Sequence, residues 1–491
     1  MIPRNALVNL IGHLAPLLAA LFLVPPLVTR LDADRFGFLT LAWVLIGYFS
    51  VFDLGFARAL SRLIAERRST APPSWLRQLS GSALSLTLGL GLLAGSLLFV
   101  LSDFLCTYVL RIPPHLQGEA TGALRILASC VPFVTLTSVL RGLLEAGYRF
   151  GWVNALRIPT GVLLFAAPLI ALFWSADLIT LALSLALVRG LSLLAHWAVC
   201  ARLYPTLTAL DRPRGFAVRE MLGFGVWVTV SNIVGPLLLY IDRFMIGALA
   251  TVSAVAFYAM PYEVVVRLWI IPAALAGVMF PVMAAARDDH LARLYRIGMK
   301  TVLVAVFPLA LAIVAFAPEW LDLWLGPDYS RNGTRVAQLL SIGVAINCVA
   351  YVPATIIQAR GRADLMAKMH VAELPLFLVL LALLIPYWGV EGAALATALR
   401  CTADAAIVFV MAGKTAPDAQ PRLKRQQIGA MVLAVVFLAG AMAPFSLSER
   451  ILYFLAALFA FAALGWYVLL DATERSRARH PLDLITGEQR S

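Results

Sequence analysis

The sequence predicts an all-α polytopic membrane protein with about 14 transmembrane helices. Two observations carry this prediction. Of the 491 residues, 61% are hydrophobic and only 13% are charged, and the mean hydropathy is +0.87. A soluble domain is nearer half apolar and a quarter charged. Apolar runs of about 20 residues, the length that crosses a bilayer as a helix, alternate with short polar segments along the chain.

The predicted spans are joined by connections too short to hold a separate domain. The first span is expected to be retained rather than cleaved as a signal peptide, because its apolar part is too long and leads into another span. The spans lie near residues 5–29, 37–64, 79–104, 116–148, 153–174, 178–203, 220–249, 254–286, 296–318, 332–359, 366–386, 389–413, 428–446 and 451–471.

The second span carries charges at membrane depth. Its sequence, FGFLTLAWVLIGYFSVFDLGFARALSR, is long and apolar enough to cross the bilayer as one helix. Charges at this depth are costly and point to function. Arg62 is interpreted as an anchor at the inner surface, and Arg58 is left open between an anchor and a substrate contact. Asp53 is too short to reach the surface and needs a partner on another helix.

The positive charges predict the orientation of the chain. The net charge is +12, and the Lys and Arg residues lie mostly in the connections that follow the even-numbered spans. Because loops rich in Lys and Arg stay in the cytoplasm, both termini are predicted to be cytoplasmic. The placement of Lys and Arg in these connections explains the net positive charge, so no nucleic-acid partner is predicted.

Two basic connectors divide the chain into lobes. The two lobes begin alike, as in the repeats of many transporters, although the general likeness of membrane helices is an equally good explanation. In the last two spans, Ile428 to Phe445 and Ile451 to Leu470 contain no charged residue, so these two helices can face lipid all round. The predicted boundaries are 1–205 for the N-lobe, 206–219 for a cytoplasmic connector, 220–413 for the C-lobe, 414–427 for a second connector, 428–471 for an accessory helix pair and 472–491 for a cytoplasmic tail.

Enzyme motifs and metal-ligand spacings are not found in the sequence. The five cysteines show no CxxC spacing, and the six histidines show no HExxH or paired spacing. No glycine-rich phosphate loop follows a strand, and no G-x-S-x-G motif occurs. The sequence therefore predicts no metal, no cofactor and no enzymatic activity.

The charges inside the predicted spans lean basic. Arg189 lies near the midplane without an acid within one turn. Such an arginine costs at least about 2.5 kcal/mol when it faces lipid, so we expect it to face a wet cavity or a partner. Two pairs are four residues apart, Glu263 with Arg267 and Arg400 with Asp404, and each has an intrahelical ion pair as an equally good interpretation.

The basic interior predicts an anionic substrate, because guanidinium groups suit phosphate oxygens. The candidates for substrate contacts are the arginines Arg58, Arg189, Arg267 and Arg400. The candidates for ion coupling are the acids Asp53, Glu263 and Asp404. The polar candidates for a cavity are the asparagines Asn9, Asn232 and Asn347.

Several stretches resemble a known family. They are FGFLTLAWVLIGYFSVFDLGFARALSRLIAE in span 2, YIDRFMIGAL in span 7, FYAMPYEVVVRLWIIPAALAGVMFP in span 8, LSIGVAINCVAYVPATIIQARGRADLMAKMHVAELPLF across spans 10 and 11, and GVEGAALATALRCTADA in span 12. These stretches are similar to bacterial polysaccharide repeat-unit flippases of the Wzx type, in the multidrug/oligosaccharidyl-lipid/polysaccharide exporter superfamily. The resemblance extends to about Gly413 and is weak in the last two spans.

The resemblance implies two six-helix lobes around a central cavity, with an accessory helix pair. It implies a flippase that carries an undecaprenyl-pyrophosphate-linked oligosaccharide, an O-antigen or exopolysaccharide unit, to the outer leaflet of the bacterial inner membrane by ion-coupled alternating access. The implied partners are this substrate, membrane lipids, a polysaccharide polymerase and the chain-length machinery. The basic residues that fit the family's cavity by location are Arg58, Arg189 and Arg267.

Two alternatives are weighed against a flippase. A drug or metabolite antiporter of the same fold usually carries cationic substrates, which an arginine-rich interior disfavours. A membrane polysaccharide polymerase or ligase is expected to have a large outward loop with catalytic residues, and the outward connections here are short.

Overall fold

The computed structural model describes residues 16, 18–53, 55–67, 71–147, 149–208, 210–286, 288–417 and 425–469. This part of the chain is helical and contains no β-strand, which confirms the predicted all-α class. The helices are α1 (Leu18–Arg30), α2 (Ala33–Tyr48), α3 (Phe56–Arg67), α4 (Pro73–Phe104), α5 (Gln117–Ser129), α6 (Val131–Ala146), α7 (Phe150–Ala171), α8 (Leu178–Leu203), α9 (Gly215–Leu249), α10 (Val252–Val265), α11 (Ile270–Ala285), α12 (Asp288–Ala315), α13 (Ala317–Leu325), α14 (Pro327–Ala359), α15 (Ala363–Thr415), α16 (Arg425–Gly440) and α17 (Leu447–Leu464).

The helices correspond to the predicted spans. Within the described residues, nine helices are long and apolar enough to cross a membrane, and two shorter apolar helices, Leu18–Arg30 and Ile428–Gly440, accompany them. The helices α5 and α6 together form span 4, and α15 contains spans 11 and 12. Gly389 separates the two limbs of α15, with φ 53° and ψ −130°, a conformation that glycine adopts without a steric penalty.

The second span is not one continuous helix, contrary to the sequence prediction. Helix α2 ends at Tyr48, a 3-10 segment follows over Phe49–Asp53, and α3 begins at Phe56. The carboxylate of Asp53 accepts a hydrogen bond from the backbone N–H of Gly55 at 2.7 Å, and Gly55 has φ +77°. Local side-chain bonds of this kind compete with the helical ladder. The helical register therefore does not continue from Asp53 into α3.

The described residues form two compact units. The first unit contains the residues up to Ala259 together with Leu381–Val390, and the second contains Met260–Leu380 and the residues from Glu391 onward. In the first unit, α6 packs against α3, α4 and α8, and α9 packs against α3 and α4. In the second unit, α14 packs against α11, α12 and α13. The lobe boundaries drawn from the sequence remain a prediction.

Two features of the second unit differ from the sequence expectation. Helix α13 lies where only a connection was predicted. The accessory helices α16 and α17 do not face lipid all round, since both pack on α12. Phe461 of α17 stacks on Phe307 of α12 with ring centroids 4.0 Å apart, and Arg450 Nη1 lies 2.5 Å from Glu319 Oε1 of α13. Apolar residues suit both lipid and protein neighbours, so composition did not separate the two faces.

Gly343 marks a close approach between α14 and α15. A Cβ at this position would lie 2.5 Å from Ala398 Cα. We expect Gly343→Ala to lower the free energy of unfolding by about 1–3 kcal/mol, because the two backbones must separate. Thermal unfolding of the purified protein, followed by tryptophan fluorescence, measures this change.

The matched control is Gly413→Ala in α15. Nothing lies within 4 Å of a Cβ added there, and alanine is the better helix former, so equal or higher stability is expected. Equal losses of stability in the two variants would contradict the close packing at Gly343.

Candidate functional site

A polar cavity of about 370 Å³ lies among α6, α7 and α8 of the first unit. Ile46 and Gly47 of α2 complete part of its wall. Three arginines and one histidine line it together with hydroxyl side chains, an unusual lining for a helical membrane segment. The polar lining residues are Thr137, Ser138, Arg141, Arg157, Thr160, Arg189, Ser192 and His196.

Helical spacing directs these side chains into the cavity. On α8, Arg189, Ser192 and His196 are three and four residues apart, which places them on one helix face. On α6, Ser138 and Arg141 are three residues apart and share a face in the same way. The ring Nδ1 of His196 lies 2.8 Å from the carbonyl oxygen of Ser192, so that the imidazole is held along its own helix.

The cavity is cationic. The Nε of Arg189 is buried without a hydrogen-bond partner, and no ion pair joins Arg189 to a carboxylate within the described part of the chain. Arg141 Nε lies 3.7 Å from Glu145 Oε1, and both side chains are more than two-fifths exposed, so this pair is weak. Arg189 therefore adds a positive charge to the cavity lining and has a buried Nε without a hydrogen-bond partner in the described residues.

Asp53 lies next to this cavity. The hydroxyl of Ser138, a lining residue on α6, donates a hydrogen bond to Asp53 Oδ2. Asp53 is 8% exposed, and its other oxygen accepts from the N–H of Gly55. Ser138 is thus a partner on another helix, as the sequence required for Asp53.

The second unit contains a buried polar cluster between α14 and the two limbs of α15. Arg400 Nη1 lies 3.5 Å from Glu373 Oε1 on the other limb. The amide of Asn347 donates a hydrogen bond to Asp404 Oδ2, and His370 Nε2 lies 3.8 Å from Asp404 Oδ1. The ion-pair partner of Arg400 in the described part of the chain is thus Glu373 on the other limb, and Asp404 lies in the same cluster.

Three ionisable side chains meet in this cluster. A ring nitrogen of His370 and one carboxylate oxygen each of Glu373 and Asp404 all lie within 4.8 Å of one another. The sequence did not predict this meeting, because the spacing along the chain between Glu373 and Asp404 shows no regular motif. Only the reversal of the chain between the two limbs brings them together.

The remaining predicted residues are placed as follows. Glu263 and Arg267 form an exposed pair in the second unit, with Arg267 Nη2 3.0 Å from Glu263 Oε2, which is the intrahelical interpretation. Arg58 lies in α3 and Asn232 lies in α9, but their side chains fall outside the described part of the structure. Asn9 also lies outside the described residues.

Several residues of the two sites were missed by sequence reasoning. The sequence analysis did not connect Arg141, Arg157 or His196 with Arg189, although all four line the same cavity. The available signal was the spacing of Arg189, Ser192 and His196 on one face of α8. Which helices turn their polar faces toward α8 depends on packing, which a single sequence does not show.

Asp242 and Arg243 of α9 are two further charged residues that the sequence analysis did not assign to a site. Each of them is only 1% exposed within the first unit. The hydroxyl of Tyr258 donates to Asp242 Oδ2 at 2.5 Å, and the guanidinium of Arg243 lies 5.0 Å from the ring of Tyr240. The hydrogen bond between Tyr258 and Asp242 therefore joins α10 to α9 inside the unit.

The fold is that of a class of membrane transporters. The structure is similar to the lipid II flippase MurJ in an inward closed conformation, with a TM-score of 0.71 and 11% sequence identity. The match covers 94% of this chain and 99% of the MurJ chain. It is also similar to an inward-facing multidrug resistance MATE family transporter of the MOP superfamily, with a TM-score of 0.69 and 12% sequence identity. That match covers 84% of this chain and 99% of the transporter chain. At these identities the likeness shows the fold.

The family follows from the sequence comparisons. The sequence model described as "Polysaccharide biosynthesis protein" matches residues 2–287. A protein of Shigella flexneri named "Putative O-antigen transporter" is 30% identical over 406 residues, which cover 82% of this chain and 96% of that protein. This chain belongs to the polysaccharide biosynthesis protein family, and it is a multi-pass membrane protein.

Proposed function

We propose that this protein is a flippase for a lipid-linked oligosaccharide. Its substrate is an O-antigen or exopolysaccharide repeat unit on undecaprenyl diphosphate, moved from the inner to the outer leaflet of the bacterial cytoplasmic membrane. Family membership and similarity to the Shigella flexneri protein support the movement of a lipid-linked oligosaccharide. On this proposal the chain is a transporter and not an enzyme, and both termini are cytoplasmic.

The cationic cavity of the first unit is the observation that supports a diphosphate group on the substrate. A diphosphate cannot cross hydrocarbon unaided, because its charge would leave water without compensation. Arg141, Arg157 and Arg189 line one cavity, and planar guanidinium groups bind phosphate oxygens through paired hydrogen bonds. An anion entering there would give the buried Nε of Arg189 the acceptor that it lacks.

The other predicted residues take secondary roles in this proposal. Arg58 and Arg267 are further contacts for the diphosphate or sugar, and Asp53 and Glu263 take part in ion coupling. Arg400 and Asp404 belong to the polar cluster of the second unit, and Asn9, Asn232 and Asn347 are polar groups of the pathway. Movement occurs by alternating access of the two lobes, and a polysaccharide polymerase with its chain-length machinery receives the product.

A transport assay tests the proposal. The full chain is reconstituted in liposomes with an oligosaccharide on undecaprenyl diphosphate, fluorescently labelled on the sugar, and a membrane-impermeant quencher reports its leaflet. We expect the diphosphate form to flip at least about tenfold faster than the matched monophosphate form, since each lost charge-assisted hydrogen bond costs about 1.5–3 kcal/mol.

Liposomes without protein and a lipophilic cation, ethidium, are the controls. Equal rates for the diphosphate and monophosphate forms would contradict the diphosphate site. Exchange of ethidium without movement of either lipid-linked sugar would favour the drug antiporter over the flippase.

A further inference from the structure

We propose that the two limbs of α15 hold a proton-binding site, in which His370, Glu373 and Asp404 share one exchangeable proton beside Arg400. The use of this proton to drive transport rests on the proposed function. The site itself rests only on the arrangement of side chains in the second unit.

The geometry brings these groups together on adjacent helices. His370 approaches Asp404, and Glu373 approaches Arg400, so that a later residue on the first limb meets an earlier residue on the second. The two limbs therefore run antiparallel. Asn347 of α14 holds Asp404 in place through its amide. Each ionisable group is thus fixed by a neighbour on another helix or limb.

The charges of the cluster do not balance without an added proton. Arg400 carries one positive charge, and two carboxylates, Glu373 and Asp404, are opposed to it. The side chains of Arg400, Glu373 and Asp404 are only 10%, 6% and 12% exposed. A net buried charge is costly, so one proton taken up by the imidazole of His370 or by a carboxylate restores neutrality.

The buried atoms leave a place for this proton. Glu373 Oε2 is buried and has no hydrogen-bond partner in the described part of the chain, whereas Glu373 Oε1 faces Arg400. His370 is the entry point, because its side chain is 38% exposed and its Nε2 faces Asp404. Protonation converts imidazole to imidazolium or a carboxylate to a carboxylic acid, and no electron transfer is required.

The neighbours of the cluster are neutral side chains. Within the described residues, the other titratable groups that interact with Arg400 or Asp404 are Tyr262 of α10, Tyr351 of α14 and Cys401 of the second limb of α15, and Cys348 of α14 interacts with Cys401. Tyrosine and cysteine are uncharged near neutral pH. The ring of Phe377 covers the guanidinium of Arg400, with Arg400 Cζ 5.0 Å from the ring centroid. The charge of the site therefore changes through His370, Glu373 and Asp404.

A proton fits this site better than a metal ion does. A divalent ion would add two positive charges beside Arg400 and leave the cluster with a net positive charge. A sodium ion prefers oxygen ligands, as hard cations do, and the entry point here is an imidazole nitrogen. A single proton neutralises the cluster and can bind the imidazole nitrogen of His370 at its entrance.

The test follows the protonation of His370 directly. The full chain, labelled with nitrogen-15 at its six histidines, is placed in lipid nanodiscs and titrated by NMR between about pH 5 and about pH 8. The signal of His370 is identified by its loss in His370→Gln. We expect the midpoint of this titration to move toward lower pH by at least about one unit in Asp404→Asn, because the carboxylate that stabilises imidazolium is removed.

Two further variants make the result decisive. Glu373→Gln is expected to move the midpoint in the same direction, and it provides a second reading if Asp404→Asn does not fold. Asp364→Asn is the matched control, since this carboxylate lies on the same limb but is exposed and paired with Lys368. An unchanged midpoint in both Asp404→Asn and Glu373→Gln would overturn the inference. So would a shift of the His370 signal on adding Na⁺ or Zn²⁺ at constant pH.

A transport measurement separates this inference from the proposed function. Under a pH gradient, wild-type flipping is expected to accelerate, and His370→Gln is expected to lose this acceleration. Acceleration by a Na⁺ gradient in place of a pH gradient would overturn the proton site while the flippase proposal stands. Absence of any flipping, with the NMR shifts as expected, would contradict the proposed function and support the proton site.

Discussion

Arg189→Ala is expected to slow flipping of the diphosphate-linked oligosaccharide by about tenfold to a hundredfold while the protein still inserts and folds. The guanidinium of Arg189 is the cavity group whose buried Nε has no partner in the described structure, so a bound anion gains most from it. Its removal breaks no ion pair within the described residues. Stability should therefore be unchanged or higher, because a buried charge is lost without leaving another unpaired.

Two comparisons make this prediction specific. Arg189→Lys keeps the charge but loses the planar fork, so an intermediate rate is expected. Arg125→Ala is the matched control, since Arg125 lies in the same unit, binds Ser102 Oγ at 3.1 Å and does not line the cavity. Wild-type rates in Arg189→Ala, or equal losses in Arg189→Ala and Arg125→Ala, would contradict the cationic cavity as the anion site.

Arg400→Ala is expected to destabilise the protein by about 3–5 kcal/mol, the largest stability effect predicted here. Arg400 Nη1 lies 3.5 Å from Glu373 Oε1, and both side chains are at least nine-tenths buried. The alanine variant would leave Glu373 and Asp404 buried without the positive charge that offsets them. Thermal unfolding of the detergent-purified protein and the yield of folded protein in membranes measure the effect.

The compensating and control variants test the cause. Adding Glu373→Gln to Arg400→Ala is expected to recover part of the lost stability, since one of the two buried carboxylates is then neutral. Arg267→Ala, which breaks the exposed pair with Glu263, should change the free energy of unfolding by no more than about 0.5 kcal/mol. Equal effects of Arg400→Ala and Arg267→Ala would contradict the buried pairing of Arg400.

The sequence predicted the membrane fold well because the length of each apolar run can be read directly from the sequence. It did not predict the break of the second span after Tyr48, since the interruption depends on a hydrogen bond from Gly55 to Asp53 and on the positive φ of Gly55. It also allowed α16 and α17 to face lipid all round, whereas both pack on α12. A stripe that packs on α12 and a stripe that faces lipid are equally apolar, so hydropathy does not distinguish them.

The candidate sites were predicted only where one residue was informative by itself. Arg189 stood out because an isolated arginine near the midplane is costly in lipid. Its neighbours Arg141 and His196 did not stand out, since each could have been a surface or structural residue. The pairing of Arg400 with Glu373 was missed because the i,i+4 spacing of Arg400 and Asp404 suggested a nearer partner.

The sequence by itself determined the all-α membrane fold, the approximate number of spans and the need for Arg189 to face a polar environment. These follow from the length of apolar runs and from the cost of charge in hydrocarbon. Only the tertiary structure decided which side chains share the cavity with Arg189 and which groups surround Arg400. The lining of the cavity and the surroundings of Arg400 depend on the rotation of each helix about its axis and on the helices it packs against. Side-chain packing between helices determines both the rotation and the neighbours.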